Sequence, residues 1–318
     1  FQQGDLKATK YNGNIDYIAM QFPITKGMGA SVGIIPYSFV GYQFGDSIKP
    51  EGQTSNFAEN SYYGNGGFSQ AYVGIAGKLF NHLSLGVNLN YFFGTINHTS
   101  QSYSADYTPI IITNQIRVRA FRPEFGAQYF SNIGKDRSFT LGLKYSPKIN
   151  LNATSKKMEY LVDTTSFASN FELAETYGVG LGLKMNKQWS VALDGTYQKW
   201  ADAQFDGKKN TLNNRLKISG GADFTPNSVG RHYYERMHYR FGGYYTNSYL
   251  NVKNSDLNEY GVSAGIGMPF KSSKSLLNIS VEYSRLQPEL SSFVKENYLK
   301  FTLNLTFNEF WFFKRKLE

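Results

Sequence analysis

Cysteine is absent from this 318-residue chain, proline occurs only 9 times and histidine 4 times. The lack of cysteine excludes a disulfide-stapled secreted domain and any thiolate metal centre. No uninterrupted apolar run comes near the roughly 18 residues that a membrane-spanning helix needs, and a mean hydropathy of −0.41 agrees. Low hydropathy does not exclude a strand-built membrane protein, because a barrel needs apolar residues only at alternate positions within the lipid band. The net charge of +9 comes without a basic run or nucleic-acid motif, so nucleic acid is not an expected partner. Anionic outer-membrane lipid, an anionic ligand or a generic basic surface each fit the charge.

What the chain does contain is aromatics (16%), 31 glycines and a repeating period of two. In the C-terminal segment Phe301, Leu303, Leu305 and Phe307 alternate with Lys300, Thr302, Asn304 and Thr306. One face therefore meets an apolar medium and the other meets water. The same alternation sets Leu83, Leu85, Val87 and Leu89 against Ser84, Gly86 and Asn88. It recurs with Phe139, Leu141 and Leu143 against Thr140, Gly142 and Lys144, and with Leu277, Ile279 and Val281 against Asn278, Ser280 and Glu282.

Candidate strands cover 12–24, 28–46, 66–80, 83–98, 113–132, 137–158, 172–186, 189–203, 214–225, 236–249, 257–269, 275–288 and 296–314. Tight turns (81–82, 134–136, 186–187) alternate with long polar connections (47–65, 99–112, 159–171, 204–213, 250–256, 289–295), as periplasmic turns and extracellular loops do in a barrel. The expected fold is all-β: a single transmembrane antiparallel β-barrel domain over 1–318, lodged in bacterial outer-membrane lipid. A soluble sandwich is the alternative, but its strands average about 5–6 residues. The thirteen segments make an odd number, whereas single-chain bacterial barrels are normally even. One further strand ahead of Phe1 is therefore expected, giving about fourteen, with any export signal removed or upstream.

In 113–132 the charged residues change parity, with Arg117 and Arg119 odd and Arg122 and Glu124 even, which predicts a β-bulge near Ala120 and Phe121. Trp189, Trp200, Trp311, Phe312 and Phe313 stand at strand ends, where interfacial girdles form. Arg117, Arg119, Arg122, Lys144, Arg215, Lys217 and Arg240 are candidate lumen charges that could hold a carboxylate, or simply line a hydrated lumen. Gly178, Gly180, Gly182, Gly261, Gly265 and Gly267 are candidate inward positions that give a plug or ligand close approach, or ease curvature. The histidines stand at no spacing that suits a metal or a catalytic triad, so neither enzyme, cofactor nor metal is expected. Asp46-Ser-Ile48 and Asp163-Thr-Thr165 resemble short O-glycosylation signals.

The segments Gly27–Tyr42 (GMGASVGIIPYSFVGY) and Gly66–Phe80 (GGFSQAYVGIAGKLF) resemble the FadL-like family of outer-membrane transporters of hydrophobic compounds. The stretches 239–245, 258–269 and 295–301 look like its Bacteroidota branch. The resemblance implies fourteen strands and passive uptake of fatty-acid-like molecules; the family's N-terminal hatch with its Asn-Pro-Ala motif is not among these residues, and is expected either upstream or on another segment. It also implies that a kink at Pro36, on the third strand if one precedes Phe1, could open a lateral exit to lipid; the alternative is an ordinary bulge. The other functional expectation is a non-transporting barrel subunit of an outer-membrane secretion or protein-assembly complex.

Overall fold

The computed structural model describes residues 2–3, 6–7, 9–48, 58–104, 107–159, 163–205, 207–250, 257–270, 275–288 and 295–308. A fifteen-stranded antiparallel sheet dominates, and thirteen of its strands form one continuous path in chain order. They are β1 (Ile18–Thr25), β2 (Met28–Ile48), β3 (Ala58–Lys78), β4 (Leu83–Ser104), β5 (Tyr107–Asn132) and β6 (Arg137–Ser146). A hairpin of β7 (Ala153–Glu159) and β8 (Asp163–Ser169) branches off, with β7 pairing to the upper part of β5. The path continues with β9 (Thr176–Met185), β10 (Trp189–Gln198), β11 (Arg215–Phe224), β12 (His238–Asn247), β13 (Leu257–Pro269), β14 (Leu276–Pro288) and β15 (Glu296–Thr306). All thirteen expected segments contain a strand of this path.

The alternation sorts the faces. Leu85, Val87 and Leu89 are exposed on the outside of β4, whereas Asn90 and Phe92 are buried on the inside. Backbone groups in lipid have no water to bond, so the continuous ladder is what lets such a wall cross a membrane. Outward aromatics mark both interfaces. Phe125, Tyr145, Tyr177 and Tyr197 are successive register partners across β5, β6, β9 and β10. At the end with short turns, periplasmic in bacterial barrels, Trp189, Phe224 and Tyr239 form the matching row. β1 and β15, first and last of the alternating path, run in the same direction. Among the described residues no ladder joins them; an Asp16–Lys300 ion pair (2.9 Å) and a hydrogen bond from Asn304 Nδ2 to the Tyr17 hydroxyl (2.6 Å) bridge the seam.

The wall is uneven. β6 and β9 to β12 have 10 residues each, whereas β2 to β5 have 21, 21, 22 and 26. Roughly ten tilted residues suffice for a band about 25 Å tall, so the upper halves of β2 to β5 stand above it, extended sideways by β7 and β8. This corrects the sequence reading of 47–65 and 99–112 as long loops: the described residues of both stretches lie in paired strands. The segment 137–158 is likewise not one strand, because the chain leaves the wall at Ser146, pairs at Ile149–Asn150 with Glu172–Leu173 in a small separate sheet, and rejoins the main sheet only at Ala153. The expected bulge at Ala120 and Phe121 is absent: β4 and β5 stay in register from Leu83–Tyr129 to Ser102–Ile110.

Candidate functional site: the lumen and its outer cap

The unbroken register fixes which charges point inward. Val118, Ala120 and Arg122 share the lumen face, and Arg122 is only 5% exposed. Arg117 and Arg119 are exposed and share the outward parity of Phe121, itself 63% exposed. Placing them in the lumen required the bulge, so that expectation is corrected.

Arg122 organises the outer end. Its Nε donates to Pro147 O (2.9 Å), and its Nη2 donates to Ser146 O (3.1 Å), Ala174 O (2.6 Å) and Thr176 Oγ1 (3.3 Å). These acceptors lie at the two ends of the connection 147–175, so one buried guanidinium ties its beginning to its end. Between them the connection brings Leu151, Ala153, Phe171 and Leu173 onto Phe92, Val118 and Ala120 of the wall, with Tyr37 and Trp200 packed alongside. The Tyr37 ring meets Phe92 edge-on at 4.9 Å.

The second long connection, 199–214, locks onto the first. Glu172 N donates to Gln204 O (2.9 Å) and Gln204 N to Glu172 Oε2 (2.8 Å), while Phe205 packs on Phe171 (4.9 Å). Trp200 begins a short 3-10 turn, stacks on Tyr249 (5.0 Å) and packs against the buried cluster. It is therefore part of the cap and not of the lipid girdle expected from its position at a strand end. Trp189 is outward and packs on Phe224 at 4.5 Å; Trp311, Phe312 and Phe313 lie outside the described residues. Glu175 fastens the cap to the outer aromatic row by accepting from the Tyr145 hydroxyl (2.9 Å) and Lys199 Nζ (3.1 Å). The Tyr145 bond first, then Tyr177 and Lys199, hold its carboxyl below the usual carboxylate range.

Below the cap the lumen is polar and internally paired. Lys144 meets Glu124 at 2.7 Å, and Arg240 meets Asp223 at 2.7 Å and Asn278 Oδ1 at 2.6 Å. Asn278 donates to Asn304, which donates to Tyr17, extending the chain of contacts to the seam. Arg215 donates to Thr246 Oγ1 (3.1 Å), and Lys217 sits 4.7 Å from the centre of the Tyr244 ring. Five of the seven expected lumen charges are thus inside, each engaged by the protein's own groups. The six glycines are also inward, at positions that neighbours fill. A Cβ on Gly261 would overlap the Tyr244 ring, one on Gly180 would come within 2.6 Å of Asp194 Oδ1, and one on Gly178 within 3.3 Å of Lys144 Cβ. Gly182, Gly265 and Gly267 face Thr140, Ser280 and Asn278 in the same way. The bare backbone accommodates the lumen's own side chains.

Pro36 interrupts the ladder. The register between β2 and β3 shifts between Pro36–Ser69 and Ser38–Phe68, leaving Tyr37 as the extra residue. The outward parity changes from Val32 and Ile34 to Phe39. Tyr37 keeps the inward parity of Gly33 and Ile35, and the extra residue is what turns Phe39 outward. On the other side β2 pairs with β1 only as far as Ile34, and a cleft of about 370 Å³ lies there, lined by Ile15, Ile18, Ile34, Pro36, Phe39 and Phe68 among others.

A sequence-family profile for BamG matches residues 1–318. The chain belongs to the BamG family. No curated protein matches it. Among solved structures, the toluene transporter TodX of Pseudomonas putida superposes with a TM-score of 0.57 at 12% identity, over 92% of this chain and 82% of that one. A Pseudomonas aeruginosa FadL homologue gives 0.57 at 14%, over 85% and 69%. The Ralstonia pickettii toluene transporter TbuX gives 0.56 at 11%, over 86% and 78%. Identities this low establish the fold alone. This BamG-family chain is an outer-membrane β-barrel built like the FadL barrels.

What the sequence reading missed is the cap. Arg122 stood among seven charges with nothing to separate it except its small apolar neighbours Val118 and Ala120 on the same face. That signal marks a buried guanidinium, which must find acceptors.

Proposed function

We propose that this protein is a non-conducting barrel subunit of the BAM complex, the outer-membrane machine for protein assembly. The match of the BamG profile to the whole chain carries this reading. The capped, polar lumen supports it: an apolar cap tied down by Arg122 lies above a floor of ion pairs and amides, an arrangement poorly suited to the passage of a hydrocarbon. Purification of a tagged full-length protein from outer membranes in mild detergent tests it. Co-purification of BAM proteins in constant ratio is the expected result, and a lone barrel would refute it.

A second reading is favoured by the Pro36 cleft: uptake of fatty-acid-like molecules with lateral release into lipid. A cleft lined by isoleucine, phenylalanine and proline would let an apolar molecule leave without crossing the polar surface layer. Uptake of a radiolabelled fatty acid by cells that have and lack the protein separates the two readings.

A further inference from the structure

We infer that the periplasmic rim, centred on the connection 225–237, docks an acidic, folded periplasmic protein; this rests on the complex-subunit reading above. That connection is out of proportion to its neighbours. The other turns described at this end, 26–27, 79–82, 133–136 and 186–188, are short, whereas 225–237 contains a helical turn at Tyr233–Arg236. It is a built element and not slack. Thr225 N donates to Gln188 O (2.9 Å) and Gln188 Nε2 to Pro226 O (2.7 Å), fixing it to the turn before. The Tyr233 hydroxyl donates to Pro269 O (3.2 Å), fixing it to the strand end after. Internally, Asn227 N donates to Glu235 O (2.8 Å) and His232 N to Glu235 Oε2 (3.0 Å).

This fixed element displays groups that a solitary barrel has no reason to hold in water. Val229 is 87% exposed, and Tyr234 is exposed with it. The turns beside the element carry exposed cations: Lys187 on the turn to which 225–237 is tied, Lys135 and Arg137 on the turn bonded to that one, and Arg231 within the element itself, none with a carboxylate within ion-pair distance among the described residues. The acidic residues of these turns are Asp136 and Glu235, and Glu235 is committed to His232. A protruding valine and tyrosine flanked on one side by these cations is the complement of an apolar pocket bordered by carboxylates. The cations attract and orient the partner, and the two side chains anchor it.

Phospholipid headgroups would also answer to the charge. However, Trp189, Phe224 and Tyr239 set the interface level, and the connection lies on the far side of Phe224 and Tyr239, away from the hydrocarbon. Tyr234 stands next to that level, since its carbonyl accepts from the Tyr239 hydroxyl (3.1 Å), so it is Val229, 87% exposed, that points to a protein.

The test is a photoreactive phenylalanine analogue placed in the full chain at Val229 and at Tyr234 in living cells, with Ile110 near the opposite end as control. The expected result is one adduct at both periplasmic positions, identified by mass spectrometry as a periplasmic protein of net negative charge, and none at Ile110. Its yield should fall about tenfold or more, the equivalent of at least 1.4 kcal/mol, when Arg231→Glu and Lys187→Glu are combined. Heat-modifiable mobility on gels confirms that these variants form barrels. Adducts with phospholipid, no adduct, or a yield indifferent to charge reversal would each overturn the inference. If BAM proteins co-purify but Val229 cross-links nothing, the inference fails and the subunit reading stands. If Val229 captures an acidic periplasmic protein while no BAM protein co-purifies, the reverse holds.

Discussion

Replacing Arg122 with alanine should unlatch the outer end of the barrel. The guanidinium serves three carbonyls and one hydroxyl at the ends of the connection 147–175, all at a buried position. A buried acceptor left without its donor costs about 1–3 kcal/mol. Water can enter the vacated space and serve some of them, so a net loss of about 3 kcal/mol is a conservative figure. At 1.36 kcal/mol per tenfold, that raises the population with the cap released roughly 150-fold. The assay is single-channel recording in planar bilayers: the native protein should be silent, and the Arg122→Ala variant should show intermittent openings. Arg119→Ala is the control, because it removes the same charge from the outward face of the same strand and should stay silent. Heat-modifiable mobility shows whether each variant forms a barrel. A folded Arg122→Ala protein as silent as the native one would refute the idea that this residue holds the cap.

Three further outcomes follow from the geometry. Pro36→Val should restore a pairing donor at the bulge and narrow the adjoining cleft; on the uptake reading it lowers fatty-acid entry into cells while barrel assembly is unchanged, and undiminished entry would remove the lateral-release role. Glu175, whose carboxyl is held below its ordinary range, stabilises the cap at pH values above the unfolded pKa and loses that effect as pH falls through its lowered folded pKa; bilayer recordings should show openings growing on acidification, with Glu175→Gln showing them already at neutral pH and responding less to acid. Gly261→Val should displace the Tyr244 ring from the lumen wall at a cost of about 1–3 kcal/mol, read as a lower unfolding temperature, whereas Val at the unconfined Gly134 carries no such clash but is strained by its positive φ.

The wall was largely legible in the sequence, because period-two alternation is a direct record of which residues meet lipid. Leu83 to Leu89 and Phe301 to Phe307 could be assigned to faces without coordinates. Legibility failed above the lipid band, where alternation weakens and polar strands such as Gln101–Ser104 look like loop. It failed for Arg117 and Arg119 for a related reason. Beyond the membrane an outward arginine meets water, so its charge no longer argues for the lumen. The real break in parity lies at Pro36, where the flanking Ile35 and Tyr37 are uncharged and no charge reports the switch. Trp200 misled because strand-end tryptophan suggests an interface; its partners Tyr249 and the 147–175 connection are joined to it only by folding.

The unequal heights of the wall imply unequal cooperativity. Contacts between β2, β3, β4 and β5 extend over about twenty register pairs per neighbour, while β9 to β12 are joined by ten or fewer. Much of the taller ladder lies in water and does not depend on lipid. Under force or in harsh detergent, the short staves should therefore part first, and amide exchange should start in β9 to β12 while the β2–β5 panel persists as the last intact piece of the barrel.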